Sequence, residues 1–303
     1  MKNLVSPTYL KKGDTIGIMS TARKISLEEI TPAIRIIEEL GYQVVLGENL
    51  FHQNHQFSGT AEQRVSDLHK MHQDSNIKAI LFARGGYGTV QLLPLLDKEI
   101  LLQNPKWIIG YSDVTVLHSY FHEELNRATL HASMPINFPD YQASDLSIKS
   151  IFQFLEGNSL EYTIPFSGGN RLGEAEGILV GGNLSILYSL RGTFADIDTD
   201  DKILFIEDLD EYLYHVDRMM MNLKLGGKLS NLKALIVGGM NDMNDNAIPF
   251  GQTAKEIILE AVKDYDYPLV FDFPAGHIHD NYALPLGRRL NLTVEKETTF
   301  LSF

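Results

Sequence analysis

The first half of this chain alternates short apolar runs with longer amphipathic ones, and that alternation restricts the fold more than any other feature. DTIGIMS (Asp14–Ser20), YQVVLG (Tyr42–Gly47), KAILFA (Lys78–Ala83) and WII (Trp107–Ile109) read as strands, with helix-like segments between them. Strands separated by helices pair in parallel, and the helices then cover both faces of the sheet. In such sheets ligands sit beyond the carboxyl ends of the strands. The loop Arg84-Gly85-Gly86-Tyr87-Gly88-Thr89 and the turn Gly110-Tyr111-Ser112-Asp113 both occupy that position.

Helix ends are marked by their capping chemistry. Thr31-Pro32 fits a cap followed by proline at the first helical position, and Ser26 with Glu29 fits a capping box that would start the same helix earlier. Gly41 then closes it, and a second box, Thr60 with Gln63, opens TAEQRVSDLHKMHQ. VTVLHSYF, after the turn at Ser112, reads as a further helix.

The pattern changes between residues 140 and 170: PDYQASD is turn-rich, LSIKSIFQFLEG is helical and FSGGNR is loop-like. Two domains are expected, 1–150 as an N-terminal α/β domain and 165–303 as a smaller C-terminal one. The second half offers shorter strands, EGILVGG, KILFIED, KALIVGG, YPLVFDF and LNLTVE, and two helices, DEYLYHVDRMMMNLKL and GQTAKEIILEAVKD. LVGGN and IVGGMN echo one another as two similar strand exits, and Met219-Met220-Met221 reads as core and interface packing.

Composition narrows the function classes. With 44% hydrophobic and 21% charged residues the chain has a globular balance. A net charge of -13 argues against a nucleic-acid partner, which needs a basic face. No basic amphipathic stretch points to a membrane surface, and no apolar run approaches the ~20 residues of a membrane span. The start, MKNLVSPTYLKKGDTIGIMS, has too short an apolar run for a secretory signal, so a soluble cytoplasmic protein is expected. There is no cysteine, which removes disulfides, cysteine nucleophiles and thiolate metal sites.

Several residues carry candidate chemistry, each with a plainer alternative. Ser112 follows Gly110 as in a nucleophile elbow, although Val114 stands where G-x-S-x-G has its second glycine; it equally fits a helix cap. The glycines of RGGYGT suit an anion or an oxyanion hole, with one N–H from Gly86 and a second from Asp113, or simply a tight turn. No G-K-[ST] follows, so it is not a Walker loop. A serine needs a base, and His277 in FPAGHIHDNYALPLG follows a strand exit among small residues. A structural role fits His277 too, and a metal role with His279 lacks any supporting ligand pattern. Glu207, in the strand KILFIED, can orient the base or cap the next helix, and Asp208 or Asp210 could do that capping instead.

RGGYGT, WIIGYSDVT, ILVGGNLSIL, LFIEDLDEYLYHVDRMMMNL and FPAGHIHDNYALPLG, in this order, resemble the LD-carboxypeptidases, serine peptidases that include muramoyltetrapeptide carboxypeptidases and microcin C immunity proteins. The likeness runs from KKGDTIGIMSTA to LPLGRRLNLTVE. It implies a Ser112–Glu207–His277 triad, oxyanion donors at the Gly86 and Asp113 amides, no cofactor and no metal. It also implies an N-terminal parallel-sheet domain, a smaller C-terminal α/β domain, an active site in the cleft between them, and a homodimer. The implied reaction removes terminal D-alanine from murein tetrapeptide in cell-wall recycling. A carboxypeptidase needs a cation for the terminal carboxylate, for which Arg84 is the candidate, with a structural ion pair as the alternative. Two other functions fit less well. An aminoacyl-nucleotide hydrolase would need an aromatic platform, and the loop Gly238–Gly251 offers only Phe250 while the single tryptophan, Trp107, lies in a strand. A non-catalytic anion-binding protein would leave the triad unused.

Overall fold

The computed structural model describes residues 4–140, 142 and 145–303, so the turn expected over PDYQASD lies in part outside the described residues. The chain divides into two compact units, Met1–Asn158 with Tyr282–Pro285, and Ser159–Asn281 with Leu286–Phe303. The first unit therefore takes in the whole helix that follows residue 145, together with a short downstream segment.

In the first unit, β1 (Thr15–Met19) is followed by α1 (Leu27–Glu39), β2 (Gln43–Leu46), α2 (Ala61–Gln73), β3 (Ile77–Phe82) and α3 (Lys98–Gln103). β4 (Trp107–Gly110), α4 (Thr115–Glu123), β5 (Thr129–His131) and α5 (Leu146–Leu155) complete it. The start of α1 corrects one expectation. The helix begins at Leu27, capped by a reciprocal pair: the Glu29 N–H donates to Ser26 Oγ at 3.3 Å and the Ser26 N–H donates to Glu29 Oε2 at 2.7 Å. Pro32 thus lies inside the helix. With the first turn already closed by the box, its missing N–H costs one intrahelical bond and does not set the boundary. The end of α1 is a Schellman turn: Tyr42 N–H bonds Ile37 O, Gly41 N–H bonds Glu38 O, and Gly41 takes the left-handed φ of +88°.

The sheet runs in the order β2-β1-β3-β4-β5, every neighbouring pair parallel, and the strand Leu284–Leu286 lies beyond β5. The chain steps outward from β1 to β2, then returns to place β3 on the other side of β1. That reversal opens a crevice at the carboxyl ends of β1 and β3, the usual ligand position in a doubly wound sheet. Its two lips are Ser20–Arg23 and Ala83–Gly88.

The second unit holds β6 (Glu161–Pro165), β7 (Gly173–Asn183), α6 (Leu184–Ser189), β8 (Lys202–Leu209), α7 (Leu213–Leu225), β9 (Ala234–Asn241), α8 (Ala254–Ala261) and β10 (Leu269–Val270). Leu284–Leu286 is then β11, and β12 (Arg289–Val294) and β13 (Thr298–Ser302) close the chain. The sheet order is β10-β9-β8-β7-β12-β13-β6. From β10 to β7 the pairs are parallel, and from β7 to β6 they are antiparallel. Val180, Leu204, Ile206, Leu235 and Val237 pack with Met219 and Met220 of α7 and Ile257 of α8 in the core. Met221, by contrast, points to solvent.

Candidate active site

The strand-to-helix corner after β4 is built tightly. Gly110 ends the strand, and a Cβ there would lie 2.9 Å from a Val114 methyl. Ser112 adopts φ +62°, the left-handed region that costs a residue with a side chain ~1–3 kcal/mol. A 3-10 turn, Ser112–Val114, leads into α4. The cap position of α4 is Val114, without a side-chain cap bond, so Ser112 does not serve α4 as its cap.

The glycine loop runs directly against this corner. A Cβ on Gly85 would lie 2.9 Å from Ser112 Cβ and 3.0 Å from Ser112 Oγ. Gly86 has φ +111°, and a Cβ there would run into the Arg23 side chain. Asp113 is buried, and its Oδ2 accepts the Thr89 N–H at 2.7 Å, tying the end of the glycine loop to the elbow. Burial pushes the Asp113 carboxyl up, opposed by the Thr89 hydrogen bonds and the Arg64 charge, and the net direction is up. Arg64, reaching from α2, donates to Gly88 O at 3.0 Å and to Thr21 O, so one guanidinium clasps both lips of the crevice. Arg84 lies on the same loop, one-third exposed, with its guanidinium 3.6 Å from Glu29 Oε1.

In the second unit, Glu207 near the end of β8 is completely buried, and its Oε2 accepts His277 Nδ1–H at 2.7 Å and the His277 backbone N–H at 3.2 Å. With Nδ1 carrying the proton toward the carboxylate, Nε2 is the nitrogen left to accept another. Burial pulls the imidazole down, but the charge and hydrogen bond of Glu207 and the charge of Asp208 outweigh it, so its pKa is raised. The neighbouring strands give Glu207 room. Ile206 pairs with Val237 but Asp208 with Met240, so the β9 register slips at Gly238-Gly239 opposite the glutamate. A Cβ on Gly238 would lie 2.3 Å from Ala275 O, so the turn carrying His277 can lie flat on that strand only because there is no side chain. The Gly276 N–H donates to Asn281 Oδ1 at 2.9 Å, fixing the turn from its other side.

Neither aspartate considered as a cap for α7 does that work: its cap position is Tyr212, with no side-chain cap bond. Asp208 Oδ2 instead accepts the Ser185 N–H at 2.8 Å at the start of α6, and its Oδ1 accepts from Asn183 Nδ2 at 2.9 Å. Burial and then the Glu207 charge push Asp208 up to about 7, against those donors. Asp210 holds the Asn244 side chain at 2.8 Å. His279 is exposed and bonded to Asp280. Among the described residues no group of three or more His, Asp or Glu is placed to hold a metal ion. Arg64, Asn183 and the structural work of Asp208 escape sequence reasoning. Asn183 alone had a signal, since it ends the glycine-paired strand exit LVGGN.

The arrangement thus supplies, in the first unit, a left-handed serine packed against the glycine loop at Gly85 and, in the second, a buried carboxylate–imidazole pair. Comparison with known proteins bears on both units. Residues 16–132 match the LD-carboxypeptidase N-terminal domain and residues 176–292 the LD-carboxypeptidase C-terminal domain. A probable murein peptide carboxypeptidase from Bacillus subtilis is 35% identical, over 97% of this chain and 93% of that one. The murein tetrapeptide carboxypeptidase of Pseudomonas aeruginosa is 29% identical, over 90% and 91%. The crystal structure of muramoyltetrapeptide carboxypeptidase from Oxalobacter formigenes superposes with a TM-score of 0.86 at 26% identity, covering 95% of this chain and 98% of that one.

Proposed function

Because the chain belongs to the LD-carboxypeptidase family, we propose that it is a serine carboxypeptidase that removes the terminal D-alanine from murein tetrapeptide. The observation that carries this reading is the 2.7 Å bond between buried Glu207 and His277 Nδ1, which presets the imidazole tautomer a serine hydrolase needs. Ser112 Oγ attacks the carbonyl of the diamino acid, and His277 Nε2 takes its proton. The tetrahedral oxygen is stabilised by the Gly86 and Asp113 N–H groups. Collapse expels D-alanine, protonated on nitrogen by His277; water then enters by the same base and releases the tripeptide from Ser112. Glu207 holds the imidazole and stabilises its charged form throughout. Arg84 pairs with the substrate's terminal carboxylate.

The same reading places the enzyme in the cytoplasm as a homodimer acting in cell-wall recycling, and light scattering on the purified chain tests the dimer. Among the described residues no helix is long and apolar enough to cross a membrane. The two aromatic residues weighed as a platform for an aminoacyl nucleotide are both engaged elsewhere. Phe250 packs against the hydrophobic core of the second unit, and Trp107 is wholly buried, its Nε1 donating to Thr8 O at 3.1 Å.

Mass-spectrometric turnover of L-Ala-γ-D-Glu-meso-diaminopimelyl-D-Ala by the wild type and by Ser112→Ala tests the proposal. Loss of one D-alanine with the wild type alone is the expected result. Turnover by both proteins removes Ser112 from the mechanism, and turnover by neither removes the substrate.

A further inference from the structure

The left-handed serine raises a physical question that the triad does not answer: what holds it there. A backbone in a sparsely populated region persists only where its surroundings over-determine it. On the helix side, Val114 N–H bonds Tyr111 O at 3.2 Å and the Asp113 carboxylate is tied to Thr89. On the strand side the anchor is the Gly110 carbonyl. It accepts the Ala132 N–H at 3.2 Å, and it also bonds His118 Nε2 at 2.9 Å.

His118 lies one turn into α4 and is completely buried. Its ring neighbours that of His131, 6.4 Å away, and His131 in turn meets the Tyr111 ring edge-on at 5.8 Å. A carbonyl oxygen only accepts, so Nε2 carries the hydrogen. Burial pushes the imidazole down to about 4, which keeps the ring neutral at ordinary pH. Helix α4 therefore reaches back and pins the last peptide of the strand it follows, two residues before Ser112.

We propose that His118 is a positioning residue for the nucleophile: its Nε2–H fixes the Gly110 peptide plane and so the direction in which Ser112 Oγ points. This rests on Ser112 being the nucleophile. It does not make His118 a base, since the ring nitrogen on Gly110 is committed as a donor and the residue is sealed from solvent.

Glutamine places an amide N–H about where histidine places Nε2–H, whereas leucine fills the space without a donor. The experiment compares wild type, His118→Gln and His118→Leu in the full chain. It reads kcat and KM for D-alanine release, and the second-order rate at which a fluorophosphonate labels Ser112. A misplacement of the attacking atom by ~1 Å costs ~10²-fold, so leucine should lower kcat by ~10–100-fold with KM little changed. The labelling rate should fall in parallel, and glutamine should recover most of both. Where leucine fails to fold, His118→Asn, whose shorter amide does not span to Gly110, takes its place. Equal kcat and equal labelling in the glutamine and apolar or short variants, with only the melting temperature changed, would overturn the proposal and leave Ser112 as nucleophile. A wild type that no fluorophosphonate labels at Ser112 overturns both.

Discussion

A Cβ on Gly276 would lie 2.6 Å from Glu207 Oε2, the same oxygen that accepts the proton of His277 Nδ1. The backbone there also has φ +109°, where a residue with a side chain is strained. Gly276→Ala must therefore push the carboxylate or the turn aside. We expect kcat/KM to fall at least ~100-fold, because small displacements of catalytic groups carry penalties of that size. The melting temperature should fall too. A Gly276→Ala enzyme with wild-type kinetics would show that the Glu207–His277 contact is not needed for turnover.

The His277 imidazole sets a pH dependence whose sign can be worked out. Burial lowers its pKa, the Glu207 charge and hydrogen bond and the Asp208 charge raise it, and the net shift is upward from the usual ~6.5. A base works unprotonated, so kcat/KM should rise with pH around a midpoint above ~6.5. Glu207→Gln removes the charge, so that midpoint should move down while kcat falls by ~10³-fold or more. Folding stability responds in the opposite sense. A raised native pKa means that the folded state holds the proton more tightly. The contribution is then complete below the unfolded pKa and lost as pH rises through the native one. The melting-temperature gap between wild type and His277→Gln should accordingly shrink with rising pH through that window; a gap that widens contradicts the assigned pair.

Arg64 predicts a loss of a different kind, because it touches backbone oxygens alone at the two lips. Its guanidinium serves Thr21 O and Gly88 O, and Nη2 donates to Gln91 Oε1 at 2.9 Å. Arg64→Met takes the guanidinium donor from both carbonyls and leaves Gly88 O only the Gln91 N–H at 3.2 Å, so the larger loss, ~1–3 kcal/mol, falls on Thr21 O. Lysine cannot reproduce the planar fork, so Arg64→Lys should recover little. Thermal denaturation and D-alanine release together check this. Stability lost without activity would mean that the glycine loop holds its shape unaided.

Where local chemistry decides structure, the sequence was readable, and where distant pairing decides it, it was not. The capping boxes Ser26/Glu29 and Thr60/Gln63 are both present, since a cap is settled within four residues. The strand β6, EYTIP, and the strand β13, TTFLS, went unread: each shows only alternation over five residues, and β6 becomes a strand by pairing antiparallel with β13, Thr298 with Pro165 and Ser302 with Glu161, 133 to 141 positions along the chain. For the same reason the antiparallel half of the second sheet was not foreseen. In the site, Glu207 and His277 stood out as strand-exit residues, but Arg64 sits in the amphipathic α2 and His118 in α4, which is buried along almost its whole length, and in neither does a polar residue type show that it is buried. Burial is a tertiary fact, and their roles follow from it.

Arg84 provides the last test, because its present partner competes with its proposed one. The ion pair with Glu29 is 3.6 Å long and partly exposed, and pairs of that kind contribute only ~0–1 kcal/mol. A substrate carboxylate can displace Glu29 at small cost. Arg84→Ala should thus raise KM for the tetrapeptide by about tenfold or more with kcat little changed, the signature of lost ground-state binding. Glu29→Gln should act in the other direction, freeing the guanidinium and leaving KM equal or lower. The α1 cap gives a control, since the Ser26 N–H bonds Glu29 Oε2 while Arg84 faces Oε1, and a glutamine keeps an acceptor for the cap. An unchanged KM in Arg84→Ala would return the residue to a structural ion pair and shift the carboxylate to another donor.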